Sequence, residues 1–454
     1  MEKPKTKWRI RYTALICMWI AYCMLQLDRQ KTTVLMPVIR EDIGLDHAQI
    51  GILIGTFTLI FATMQFISGY IVNRVGLKRV MAVALAGFSV STWWTGFVTS
   101  FESFLFRYAI FGWFEGLNPP AAVQLVSRWF PKRERGKASA VWATTWVITP
   151  IWAPIVAVAL MNATSWRWVF GFCALAGLPA LLLIKYFIFD RPEQYRFKGK
   201  TMPEYELEEI YEDEIAEEQK KNPAKVITYK DVINKKDGTA LRVADVYKNV
   251  SIWLLSLAAF FHNTLFWGMN IWLPLYLTEV HKYNMQTMAI LVGLYNLSGA
   301  IGQFLCGAVS DRIGVRRPFM IASNLLSLLF MILFVTLIKP GTPFIVTALL
   351  LLVTGFFLNM HWAVQAALSS ELSSPDLGSV AIGVVNGMAQ YGSAAAGYVT
   401  GFLVYKTPQG TTVYDNAFIY WGLSALLAAL FVYLIKEKSR KVPEAAPQPV
   451  KTNI

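Results

Sequence analysis

Apolar runs of roughly twenty residues alternate with short polar connections along nearly the whole chain. The stretches 82–99, 138–161 and 343–360 contain no Asp, Glu, Lys or Arg. A bilayer core takes about 20 apolar residues in helix, and a lipid-exposed backbone must satisfy its own hydrogen bonds there, which a helix does. The pattern predicts twelve transmembrane helices, near 12–36, 48–72, 79–99, 103–127, 138–161, 166–188, 250–277, 287–310, 318–338, 343–368, 378–403 and 414–435. One connection is long and polar, 190–249, and it divides the helices six from six. Within it the acidic run 204–218 places Leu207, Ile210, Tyr211 and Ile215 at helical spacing, which predicts a short surface helix in a solvated linker. The expected fold class is all-α integral membrane: a six-helix bundle over 1–189, a cytoplasmic linker over 190–249, a second six-helix bundle over 250–440 and a cytoplasmic tail over 441–454.

Composition agrees with this and charge adds an orientation. Apolar residues are 55% of the chain and charged ones 16%, against about 25% charged in a soluble domain. The net charge of +13 does not point to nucleic acid, because the Lys and Arg sit in short loops between apolar runs rather than on one soluble face. Loops on one side hold the N-terminal basic residues, Arg74, Lys78, Arg79, Arg128, Lys132, Arg133, Arg135, Lys137, Arg312, Arg316, Arg317 and the basic tail, 21 in all. The other side holds five: Arg40, Arg167, Lys282, Lys339 and Lys406. The positive-inside bias therefore predicts cytoplasmic termini and a cytoplasmic linker. No cleavable signal is expected, since the basic start runs straight into a full-length span. Cys17, Cys23, Cys173 and Cys306 lie in apolar segments without metal spacing and read as small core residues.

The two halves repeat. The run from Gln65 through Gly69, Asn73 and Arg74 to Gly76 matches the run from Gln303 through Gly307, Asp311 and Arg312 to Gly314 at a constant offset of 238, and a basic pair follows each copy. Gly55 and Gly293 keep that offset, and Pro37 and Pro274 nearly so. Parallel six-span repeats are a transporter plan in which the solute site lies near the midplane between the halves. On these residues the chain resembles the major facilitator superfamily, whose loop motif lies between its second and third and its eighth and ninth helices. The resemblance implies that fold and assigns Gly69, Asn73, Arg74, Gly307, Asp311 and Arg312 to a cytoplasmic gate. Asp311 fits the motif's acidic position, whereas Asn73 departs from it.

Three further segments resemble the anion:cation symporter family, which includes bacterial sugar-acid permeases and sialin-like carriers. They are Leu27-Asp28-Arg29, the fourth span with Arg107, Gly112, Glu115 and Pro120 leading to Trp129-Phe130-Pro131, and the seventh span with Trp267-Gly268 and Trp272-Leu273-Pro274. The family usually sets the fourth-span Arg seven residues before the Glu. Here the gap is eight, which turns one side chain by about 100° relative to the other.

Apart from Arg79, Arg167, Lys185 and Asp415, which fall within four residues of a span end, the charges inside the expected spans are few: Asp28, Arg29 and Lys31 in the first, Arg107 and Glu115 in the fourth. A charge at mid-bilayer costs at least about 2.5–3.5 kcal/mol, so each must pair, meet water or work. Lys31 is placed to snorkel outward. Two readings stay open for the rest: a buried ion pair, Asp28 with Arg107 or Glu115 with Arg29, that fixes helix packing, or a working site. In the working reading Arg29 binds an anionic substrate, because a guanidinium forks onto a carboxylate or phosphate. Glu115 carries the proton, since desolvation favours a neutral carboxyl, and Asp28 and Arg107 tune the exchange. The resemblance implies the same roles for Arg29 and Glu115.

The second half offers neutral polar groups instead. His262, Asn263, His361, Gln365, Asn386 and Gln390 are the candidate substrate contacts, with helix–helix packing as the competing role for each. Trp113, Trp142, Trp146, Trp152, Trp267 and Trp362 read as interface or packing aromatics, with room for a bulky substrate. Pro150 and Pro154 predict a kink in the fifth span. No nucleotide loop, metal-spaced cluster or nucleophile elbow occurs, so no enzyme, no cofactor and no catalytic or metal residue is expected. The expectation is a proton-coupled symporter of a small organic anion in a bacterial inner membrane, a monomer whose partners are the anionic substrate, protons and the bilayer. The alternatives are an organophosphate:phosphate antiporter and, in a different class, a membrane sensor with a transporter fold; the 60-residue linker is small for a signalling domain.

Overall fold

The computed structural model describes residues 8–223, 225–233, 244–373 and 378–436. The expected tail lies outside them, and so does the side chain of Asp28. Twelve spans follow the chain. The first six are Ile10–Ile43, His47–Val75, Leu77–Thr95, Phe101–Gly116 continued by Asn118–Trp129, Lys132–Ala143 continued by Thr145–Ala163, and Trp166–Phe187. The second six are Val250–Glu279, Met285–Ile313, Arg317–Leu337, Phe344–Glu371, Gly378–Leu403 and Asp415–Leu434. Expected and observed ends differ mostly by one to three residues, but by six or seven at the end of span one and the start of span five.

Local chemistry sets the ends and breaks. Asp46 opens span two with a capping box on Gln49, and Gly44 and Gly314 close spans one and eight in the left-handed region. Span four is interrupted at Leu117 because Pro119 and Pro120 lack amide protons and suit only the first turn of a new helix. Span five breaks at Thr144, upstream of the expected kink; its second piece runs through both Pro150 and Pro154.

The packing is the same in both halves. In the first, span one lies against five and six, two against four, and three against four and six; in the second, seven lies against eleven and twelve, eight against ten, and nine against ten and twelve. The halves meet by the same rule, two along eleven and eight along five, with one and seven touching on the axis. The repeated glycines explain how closely. A Cβ on Gly293 would lie 2.9 Å from the Ile151 carbonyl oxygen, and one on Gly55 would enter the Tyr398 ring. At Gly51 it would lie 2.7 Å from the Gly397 carbonyl oxygen and from the Gly401 Cα. Only glycine permits such backbone approach.

The linker is not a free solvated strand over 190–222. Two short helices, Glu204–Ile210 and Glu212–Lys221, bury Glu206, Leu207 and Ile210 against the first half. The Glu206 carboxylate, itself fully buried, accepts hydrogen bonds from the Ile10 and Arg11 amides at 3.1 and 2.9 Å. It thereby caps the first span, whose own N-terminus supplies no side-chain cap. Glu209 pairs with Arg9 and Arg11, and Glu212 with Arg133.

Candidate functional site

Two of the intramembrane charges meet. Arg29 Nη1 lies 3.7 Å from Glu115 Oε1, and both residues are almost wholly buried. At that separation the pair is an ion contact without a hydrogen bond. Arg29 Nη1 and Glu115 Oε2 have no hydrogen-bond partner among the described residues. The guanidinium is enclosed by rings: its Cζ is 4.1 Å from the centroid of Trp267, 5.3 Å from those of Phe57 and Phe61 and 6.0 Å from that of Trp146. Trp267 belongs to span seven, so the second half stacks directly on the first half's cation. Stacking leaves the in-plane N–H edge open to an anion, which is how arginine combines cation–π contact with bidentate binding.

Arg107 does not join this pair. It donates to the Trp94 carbonyl oxygen at 2.6 Å and lies over the Trp94 ring, on another face of span four. The eight-residue spacing accounts for this, since it turns Arg107 away from the face that buries Glu115. Of the residues expected to tune the Arg29–Glu115 exchange, Arg107 thus lies apart from the pair, and the Asp28 side chain lies outside the described residues. Lys31 is fully buried with Nζ 4.2 Å from the Phe170 ring, so it does not snorkel.

In the second half most amides bond within their own helix. Asn263, Asn270, Asn296, Asn324 and Asn359 each donate to the carbonyl four residues earlier. Asn263 also accepts from Ser393. Gln365 donates to Asn386 Oδ1 at 3.3 Å, and Asn386 is exposed. The oxygens of Gln365 and Gln390 have no partner among the described residues. His262 and His361 are fully buried and stacked, with centroids 3.7 Å apart and planes 7° from parallel. Asn324 bridges them, an amide the sequence reading passed over although it is the lone one in the apolar run 318–338.

Access is uneven. At the end of the bundle that carries His47, Glu279 of span seven accepts from Arg40, from His47 Nε2 at 2.9 Å and from Tyr414 at 3.1 Å. Arg40 and His47 belong to the first half and Glu279 to the second, so this carboxylate ties the halves together. Glu279 lies two residues beyond the expected end of its span, which is why it was not counted among membrane charges. The Gly51–Gly401 contact lies at the same end. Toward the opposite end, a Cβ on Gly69 or on Gly383 would meet nothing within 4 Å among the described residues. Among the described residues the motif contacts stay within their own halves: Asn73 accepts from Gln124, Arg74 lies over Tyr70, and Asp311 pairs with Arg316, which also pairs with Glu371. A Cβ on Gly307 would meet Ala363 among the described residues, and Arg312 is exposed.

The sequence profile described as Major Facilitator Superfamily matches residues 18–301 and 285–453. A probable hexose phosphate transport protein of Chlamydia trachomatis is 26% identical over 441 residues, 96% of this chain and 91% of that protein. A probable sulfoacetate transporter of Cupriavidus necator is 26% identical over 462 residues, 98% and 100% of the two chains. The crystal structure of a D-xylose–proton symporter superposes with a TM-score of 0.71 at 14% identity, covering 94% of this chain and 98% of that one.

Proposed function

The chain belongs to the Major Facilitator Superfamily, a multi-pass membrane transporter of the anion:cation symporter type, and from that premise we propose that it carries a small organic anion together with a proton by alternating access. The observation that carries the reading is the buried Arg29–Glu115 pair under Trp267. Arg29 binds the carboxylate or sulfonate through its free in-plane edge. Glu115 loses its ion partner when the anion takes Arg29, and a buried carboxylate without a partner gains a proton. Anion and proton therefore load together, and neither is favoured alone. Sulfoacetate and hexose phosphate, the solutes printed for two relatives, are both anions and support this class of substrate.

The end tied by Glu279 is external and the opposite end cytoplasmic, in keeping with the loop charges, so the resting state faces inward. The gate residues Asn73, Asp311 and Arg312, together with Arg74, Gly69 and Gly307, would engage across the halves when the cytoplasmic end closes. Organophosphate exchange is the second reading, favoured by the hexose phosphate relative; the lack of any Lys or Arg in the interior of span seven weighs against it. The test uses proteoliposomes. Wild-type protein should concentrate a labelled organic anion when an inward proton gradient is imposed. Glu115→Gln should lose gradient-driven uptake and retain counter-exchange. Uptake by Glu115→Gln that still follows the gradient would remove Glu115 from coupling.

A further inference from the structure

The buried histidine pair carries more information than its burial. Asn324 Nδ2 donates to the Met320 carbonyl oxygen at 2.8 Å. A carbonyl oxygen only accepts, so this bond fixes which way the amide is turned. Its oxygen must then face His262 Nδ1, 3.0 Å away, and its second N–H must face His361 Nδ1, 3.2 Å away. The consequence is forced. His262 has to donate from Nδ1 and is the Nδ1–H tautomer, with a bare lone pair at Nε2. His361 has to accept at Nδ1 and is the Nε2–H tautomer, with a proton at Nε2. One asparagine writes opposite tautomers into two stacked rings.

Both rings turn Nδ1 to the same amide, so both Nε2 positions face away from it, one an acceptor and the other a donor. Both are buried, and neither makes a well-formed hydrogen bond among the described residues, although Gln365, one helical turn from His361, lies near enough to interact with it. Two buried nitrogens without a well-formed bond cost free energy that a ligand would recover. The matching group must both donate and accept at one place. A carboxylate or phosphate oxygen would meet the His262 lone pair, and an ammonium would meet the His361 N–H. A hydroxyl satisfies both at once. Gln365, with an unpartnered oxygen, adjoins His361. Phe266 stacks on His262 with centroids 6.3 Å apart and leads to Trp267 at 5.4 Å, which covers Arg29. Two aromatic rings thus separate the hydroxyl reader from the anion reader.

We infer that His262 and His361, set in opposite tautomers by Asn324, form a hydroxyl-recognition subsite, so that the transported anion bears an alcohol or phenol group several bonds from its charge. The inference rests on the anion reading of Arg29 and adds Asn324 as a positioning residue.

Binding to purified protein is measured by calorimetry for three matched pairs: D-gluconate with hexanoate, glycerate with propionate, and 4-hydroxybenzoate with benzoate. In at least one pair the hydroxylated member should bind at least about tenfold tighter. Asn324→Leu should cut that preference below about threefold and leave the unhydroxylated member within about twofold of wild type. The wild-type protein with nitrogen-15 histidine supplies a readout that needs no variant: His262 and His361, assigned through His262→Gln and His361→Gln, should show one Nδ1–H and one Nε2–H tautomer. Two like tautomers overturn the inference. Equal affinity within every pair, or no binding by any of the six, also overturns it. If Arg29→Lys weakens both members of pairs that bind alike, the anion reading stands while the hydroxyl subsite falls. If hydroxylated members bind tighter but Arg29→Lys changes nothing, the subsite stands and the anion reading falls.

Discussion

The two halves share a packing diagram and differ in what they put at its centre. Where spans one and four of the first half meet the axis, the side chains are Arg29 and Glu115; in the second half, spans seven, nine and ten bring His262, Asn324 and His361 together. An ion pair is held at contact distance without a hydrogen bond, whereas the neutral cluster is tightly bonded on one edge and open on the other. Duplication has kept the scaffold and separated the chemistry: strong, non-directional charge on one side, directional hydrogen bonding on the other. On the proposed reading, charge would supply capture and coupling, and direction would supply choice among solutes.

Substitutions in the two centres should therefore fail differently. After the loss of coupling expected for Glu115→Gln, the largest effect falls on Arg29. Arg29→Lys keeps the charge but loses the fork, and substrate affinity should fall by about 10–100-fold, corresponding to a charge-assisted hydrogen bond of about 1.5–3 kcal/mol; near-normal affinity in equilibrium binding would break the division of labour. Trp267→Leu removes the ring of the second half that, among the described residues, covers that cation. It should cost the proposed inward-facing state about 1–2 kcal/mol, read as increased labelling of a cysteine placed at the Glu279 end without loss of fold. Glu279→Gln weakens the tie to Arg40 and His47 by about 1 kcal/mol and should shift the same labelling a smaller distance, with substrate selectivity unchanged. The smallest effect belongs to Glu206→Ala, which uncaps span one: about 1 kcal/mol of stability, seen as a melting point lower by a few degrees with transport intact.

The fold was legible because its signals are strong and local. Length and apolar content mark each span, the 238-residue offset marks the duplication, and Gly55 and Gly293 in that offset are the residues at which the halves cross. The pairing of Arg29 with Glu115 was one of the two arrangements that charge alone permits. The position of Arg107 was readable only from its eight-residue spacing. Asn324 escaped because a lone amide in an apolar helix carries no pattern; its role exists only when three helices are assembled. Glu279 escaped because hydropathy blurs the ends of spans, and one more helical turn brought it under Tyr414. The linker's docking escaped because an acidic helix looks the same whether it faces water or a basic surface.

The cap that Glu206 places on the first span has a consequence for synthesis. The Ile10 and Arg11 amides wait for a carboxylate 196 and 195 positions later in the chain. While the ribosome builds spans one to six, the leading helix has no such cap. It gains one as the linker emerges, before the second half has been made. Chains tend to fold unit by unit from the N-terminus, and here the closing contact of the first unit comes from the linker between the bundles. A fragment truncated at 189 would lack that carboxylate, and one extended to 222 would carry it.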